Sequence, residues 1–193
     1  YMAQDRAELQ YPVKELCRCM SAPDNDAWGR LKRLVRYLVG RPRAVMQFKW
    51  QAMEDVLDVY SDANWAGCRV SRKSTSGGTL LWGKVCLRSY SKTQATIAQS
   101  SAESELIAVV RAACEGLGII SLADDFGIEL KIRLHVDASA ALGILQRQGV
   151  GRVRHLDVGV LWLQEQQHGP GHSEPSRLND EESHERATGP VCR

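Results

Sequence analysis

Three acids, Asp62, Glu105 and Asp137, stand where carboxylates can do chemistry. Asp62 closes the run VLDVYSDANWAG (56–67), which reads as a Val- and Tyr-rich strand running out into a Trp-Ala-Gly turn. Asp137 closes a short β-branched strand over 132–136, and Glu105 falls in the first turn of an apolar helical run over 103–116. A strand end fixes a carboxylate in place while the following loop leaves it open to solvent, which is what a metal ligand requires. Singly, each of these acids could equally cap a turn or a helix. If the strand ending at Asp137 pairs alongside the strand ending at Asp62, both aspartates emerge at one sheet edge, and the helix can lay Glu105 over them. Such a cluster repels itself unless cations neutralise it. Two magnesium ions about 4 Å apart would do so, with manganese as an alternative, and would suit in-line attack of water on a phosphodiester. Spacing alone does not choose between Glu103 and Glu105 as the helix ligand.

The elements that must position these acids follow from periodicity. A helix is expected over 7–20, with Leu9, Val13, Leu16, Cys17 and Met20 near helical spacing and Pro12 starting or kinking it. The turn SAPDND then offers Asn25 or Asp26 as an N-cap. Trp28, Leu31, Leu34, Val35 and Leu38 make one stripe of the next helix, stopped by Gly40 and Pro42, while Arg30, Lys32, Arg33 and Arg36 share its other face. That basic face reads either as solvated or as phosphate-facing. A strand is expected over 45–50, a basic and hydroxyl-rich loop over 69–78, and a hairpin of 79–82 with 85–90 through the turn Gly83-Lys84. After the helix at 103–116, a smaller helix is expected over 117–125, then the strand at 132–136 and helices over 138–148 and 156–166. The order predicts an α/β fold: a mixed sheet of three antiparallel strands plus a parallel strand, flanked by helices and preceded by an N-terminal helical segment.

Composition narrows the class. The chain has 193 residues, 44% hydrophobic and 25% charged, enough for one domain or one domain with a fragment of another. Its six cysteines form no CxxC pair and no disulfide framework, so reduced thiols in an intracellular protein, cytoplasmic or nuclear and not secreted, are expected. No uninterrupted apolar run reaches the 18 or so residues of a membrane span, and no membrane partner is expected. A net charge of +2 neither demands nor excludes a polyanion. Local chemistry is more telling: Arg72, Lys73, Ser74 and Thr75 in the loop, with Ser100 and Ser101 at a helix N-terminus, could donate to phosphates or could be ordinary loop and capping residues. From 168 onward Pro, Gly, Ser and charge displace apolar residues, and 168–193 reads as a disordered tail.

Five blocks in order, YSDANWAG, RKSTSGG, SSAESELIAVV, HVDASAALGIL and RHLDV, resemble the ribonuclease H domain of copia-type retrotransposon Pol polyproteins. The front segment, YMAQDRAELQYPVKELCRCM with AWGRLKRLVRYLVG, is similar to the piece that ends the reverse transcriptase of the same polyproteins. The resemblance implies a reverse-transcriptase fragment over 1–50 and a ribonuclease H-like domain over 51–167 that lacks its usual last strand and helix. It implies hydrolysis of the RNA strand of an RNA/DNA hybrid with magnesium, in company with the reverse transcriptase of the same polyprotein. Asp62 falls in the family's SDADWAG block, Glu105 matches the second glutamate of its SSAEAE block, and Asp137 matches the aspartate of its CDN block, here VDA. Glu103 then serves the helix N-terminus. For a fourth carboxylate the resemblance leaves Asp157, at a helix start, and Asp180, neither in the family's usual surroundings. Two rivals follow: another two-metal nuclease or integrase-like fold, and a decayed or repurposed copy that binds nucleic acid or protein without cutting.

Overall fold

A computed structural model describes residues 2–137 and 176–177. In chain order the elements are α1 (Met2–Asp5), α2 (Ala7–Cys17), α3 (Asn25–Gly40), β1 (Val56–Asn64), β2 (Thr75–Trp82), β3 (Val85–Thr93), α4 (Ser101–Asp125), β4 (Lys131–Val136) and β5 (Ser176–Arg177). They form one sheet in the order β3-β2-β1-β4-β5. β1, β2 and β3 run antiparallel in sequence, whereas β4 lies parallel to β1 and β5 parallel to β4. The three antiparallel strands and the parallel one are as the sequence implies.

Alternation along the strands divides the sheet into two faces. Leu57 and Val59 of β1, Leu80 of β2, and Leu134 and Val136 of β4 face α4, which meets them with Leu106, Val109, Ala112 and Ala113. Burying each of the larger side chains contributes about 1.5–3 kcal/mol. α4 comes especially close at Gly116, where an added Cβ would lie 3.0 Å from Ile132 Cδ1 and 3.2 Å from Val59 Cγ2. Gly116→Leu therefore overpacks the junction, and urea denaturation is expected to show a loss of about 1–3 kcal/mol. By length and composition α4 could cross a membrane, but it is the core helix of this sheet, packed on β1, β2 and β4.

α2 lies on the opposite face. Gln10 Nε2 donates to Ser89 O at 2.8 Å, and Lys14 Nζ donates to Thr75 Oγ1 at 2.7 Å. Thr75 is five residues from the core-facing Leu80 and so points away from α4. Leu9 of α2 is buried.

Several expectations from sequence are corrected. The N-cap of α3 is Asp24, whose side chain accepts from the backbone N–H of Ala27, rather than Asn25 or Asp26. The α3 stripe is largely uncovered among the described residues, with Trp28, Leu31 and Val35 exposed. Residues 45–50 alternate but form no strand; no neighbouring strand offers them a ladder among the described residues. β2 begins at Thr75, so the last four residues of the anticipated loop are strand. α4 continues unbroken to Asp125 instead of ending near Gly116. Within the segment read as a disordered tail, Ser176–Arg177 add a short strand beside β4, so the sheet has a fifth strand where the sequence implied none. The helices anticipated over 138–148 and 156–166, with Asp157 and Asp180, lie outside the described residues.

Candidate metal centre

The parallel register of β1 and β4 sets Ser61 opposite Val136. Asp62 is the next residue of β1, which runs on to Asn64 rather than closing at the aspartate, and Asp137 directly follows β4, so the two stand side by side where the parallel pairing ends. Glu105 reaches them from the fifth residue of α4. One carboxylate oxygen from each of the three acids lies within 4.8 Å of the others, with Asp62 and Asp137 exposed and Glu105 buried. Three acids separated by more than thirty residues in each interval are thus gathered by one register and one helix.

Electrostatics identify Glu105 as the strained member. Burial, then the charges of Asp137 and Asp62, push its carboxyl up to about 7, against a smaller downward pull from a backbone hydrogen bond at Ala63. Its Oε2 is buried and has no hydrogen-bond partner among the described residues. A buried carboxyl with an unpartnered oxygen, set beside two further carboxylates, is a poor protein interior unless a cation or a proton completes it. The all-oxygen donor set fits a hard divalent cation such as magnesium or manganese, which Asp62, Glu105 and Asp137 would hold.

Helix α4 is started by a reciprocal cap that keeps Glu103 out of this cluster. Ser100 Oγ accepts from the backbone N–H of Glu103 at 3.2 Å, and Glu103 Oε2 accepts from that of Gln99 at 2.7 Å. The structure therefore separates the two glutamates that spacing could not.

The anticipated phosphate contacts divide. Arg72 is exposed, Lys73 is half-buried, and Ser100 and Ser101 are exposed at the start of α4, all within reach of a partner in solvent. Ser74 and Thr75 are buried and engaged: Ser74 Oγ accepts from the backbone N–H of Ala66 at 3.0 Å, and Thr75 Oγ1 accepts from Lys14. These two hydroxyls hold the β1–β2 loop and α2 in place, and the expectation that they meet phosphate is withdrawn.

A second polar cluster was not anticipated. Asp58, buried on the face opposite α4, accepts from Arg133 Nε at 2.6 Å and lies 2.6 Å from His135 Nε2. The His135 ring stacks on Tyr60 with centroids 4.3 Å apart. Burial alone would raise the Asp58 carboxyl, but the hydrogen bonds from Arg133 and His135 outweigh it and hold it below the ordinary value. This tie joins β1 to β4 just before the two aspartates. Asp58→Ala removes the acceptor that Arg133 and His135 share, and a loss of about 2 kcal/mol is expected by urea denaturation at neutral pH. The figure sits below that for a fully buried pair because the Arg133 side chain is 45% exposed.

No family model matches the chain. Over 131 residues it is 36% identical to the retrovirus-related Pol polyprotein from transposon RE2 of Arabidopsis thaliana, an alignment covering 67% of this chain and 9% of that polyprotein. It is 37% identical over 116 residues to secreted RxLR effector protein 161 of Plasmopara viticola, covering 60% of this chain and 81% of that one. Among solved structures it is similar to LC11-RNase H1, isolated from compost, with a TM-score of 0.50 at 13% identity, covering 69% of this chain and 91% of that one. The chain spans about a tenth of the length of the Pol polyprotein it matches. The mixed sheet of this structure is a ribonuclease H fold, and the chain belongs to the copia-type retrotransposon Pol polyproteins as a ribonuclease H region.

Proposed function

We propose that the chain hydrolyses the RNA strand of RNA/DNA hybrids through divalent cations held by Asp62, Glu105 and Asp137. The observation that carries this reading is the convergence of one oxygen from each acid within 4.8 Å, together with a buried oxygen of Glu105 that has no partner among the described residues. When bound, a pair of magnesium ions supplies the positive charge that in-line attack of water on a phosphodiester needs. The chain's own residues supply position. β1 and β4 hold Asp62 and Asp137 open to solvent, α4 holds Glu105 beneath them, and Arg72, Lys73 and the start of α4 offer donors for the flanking phosphates.

In this reading residues 1–50 are the end of a reverse transcriptase, with 51–167 the nuclease region, and the polymerase of the same polyprotein is the partner inside the cell. Asp157 is the proposed fourth carboxylate. A labelled hybrid incubated with the protein in magnesium is expected to lose its RNA strand, with the DNA strand intact and no reaction in chelator. Equal cleavage of single-stranded RNA, or cleavage that persists in chelator, contradicts the reading.

A second reading, a repurposed copy that binds without cutting, is favoured by one finding. A short protein named as a secreted effector matches this region over most of its own length. Hybrid binding without hydrolysis in magnesium or manganese would establish it.

A further inference from the structure

Gln94 lies in the connection between β3 and α4, and its side chain is buried to all but 5%. Its Nε2 donates in two directions, to Ser76 Oγ of β2 at 2.9 Å and to the backbone carbonyl of Ser104 in α4 at 2.8 Å. Its own backbone N–H donates to Ser74 O at 2.9 Å, so main chain and side chain both tie it to the start of β2.

The residues at the two ends of this amide bridge give it meaning. Ser76 precedes Gly77, the register partner of Asp62 in the β1–β2 ladder. Ser104 precedes Glu105. One buried amide thus spans from the strand that backs Asp62 to the helical turn that carries Glu105. The core residues with which α4 otherwise meets the sheet are apolar and carry no direction, whereas two hydrogen bonds from one planar group fix both distance and orientation. The remaining Gln94 oxygen, Oε1, is buried without a partner among the described residues, as are Ser61 Oγ and Glu105 Oε2. A buried amide that leaves its acceptor unsatisfied is retained at a stability cost, which points to a role for its two donors.

We propose that Gln94 is a positioning residue for the metal centre: its amide fixes the start of α4 against β2 and so sets the separation of Glu105 from Asp62. The inference rests on the nuclease reading for what the carboxylates bind, and on the hydrogen bonds for the rest. Calorimetric titration of manganese alone into the full chain tests it. Gln94→Leu, which keeps the bulk and removes both donors, is expected to weaken manganese about ten- to a hundredfold, the usual effect of losing an outer partner of a metal ligand. Ser76→Ala, which removes one of the two acceptors, is expected to weaken it less. Amide hydrogen exchange at 103–106 is expected to quicken in Gln94→Leu ahead of the rest of α4. Leu9→Ala, a truncation of a buried side chain in α2 on the sheet face opposite α4, controls for lost stability and is expected to bind manganese as wild type.

Wild-type manganese affinity in Gln94→Leu, or a loss matched by Leu9→Ala, overturns the positioning role while leaving the nuclease reading intact. If the wild-type chain binds no manganese, the metal-centre reading fails and this role fails with it. Tight manganese binding by a wild-type chain that does not cleave, weakened in Gln94→Leu, upholds the positioning role and refutes only the hydrolysis.

Discussion

Replacing Asp62 by Asn is expected to reduce hybrid cleavage by more than about a hundredfold while leaving the metal-free protein at least as stable. The size follows from position, since changes to groups behind a metal ligand already cost ten- to a hundredfold and Asp62 is itself one of the proposed ligands. The sign of the stability effect follows from charge. Asp62 is exposed, so Asn loses no packing there, and one of the two negative charges that press on Glu105 disappears. Asp137→Asn is expected to behave alike. Activity and thermal midpoint, measured on the same preparation, separate this from a folding defect. A structural aspartate would lose both together, whereas here one falls and the other holds or rises.

The second large effect is a dependence of stability on pH that a cation abolishes. Unfolded, Glu105 titrates near 4.5; folded, burial and its neighbours raise it to about 7. Between those values the folded state holds a proton that the unfolded state has released. Glu105 therefore favours folding fully below pH 4.5, and its contribution is lost as pH rises through 7. Urea denaturation of metal-free protein is expected to show stability falling across that interval, and Glu105→Gln, which cannot ionise, should flatten it. Divalent cation should restore stability at the upper end, by about 2.7 kcal/mol at a hundredfold excess over its dissociation constant. Proton and cation compete for the same carboxylate, so cation affinity should weaken below pH 7. A metal-free profile that is flat from pH 4.5 to 7 would show that Glu105 is not held among unscreened charges.

The legible part of the site was the part written in local pattern. Asp62 and Asp137 end strongly β-branched runs, and Glu105 follows a good capping sequence, so their elements could be placed from composition and period. What period cannot show is register. That Asp58 meets Arg133 and His135, 75 and 77 residues away, depends on which residue of β4 lies opposite which residue of β1.

Glycine misled in two places for one reason. STSGG reads as a loop, but Gly78 sits in a strand because the Tyr90 ring fills the space a Cβ would need, with the nearest atom at 2.4 Å. Gly116 reads as a helix stop, but it lets α4 continue while approaching Val59 and Ile132. In both cases tertiary packing, invisible in a single chain's propensities, sets the residue. Gln94 had no signal at all: an amide in a polar connector carries no period, and its importance comes from what it spans.

Asp62, Glu105 and Asp137 are proposed to bind divalent cation together. Anomalous diffraction from crystals soaked in manganese tests it most directly. Anomalous peaks are expected within about 2.0–2.4 Å of carboxylate oxygens of all three acids, metal–oxygen distances usual for hard divalent ions. These peaks should be lost in Asp62→Asn at the same manganese concentration. Manganese bound elsewhere, with no peak among these three side chains, would contradict it.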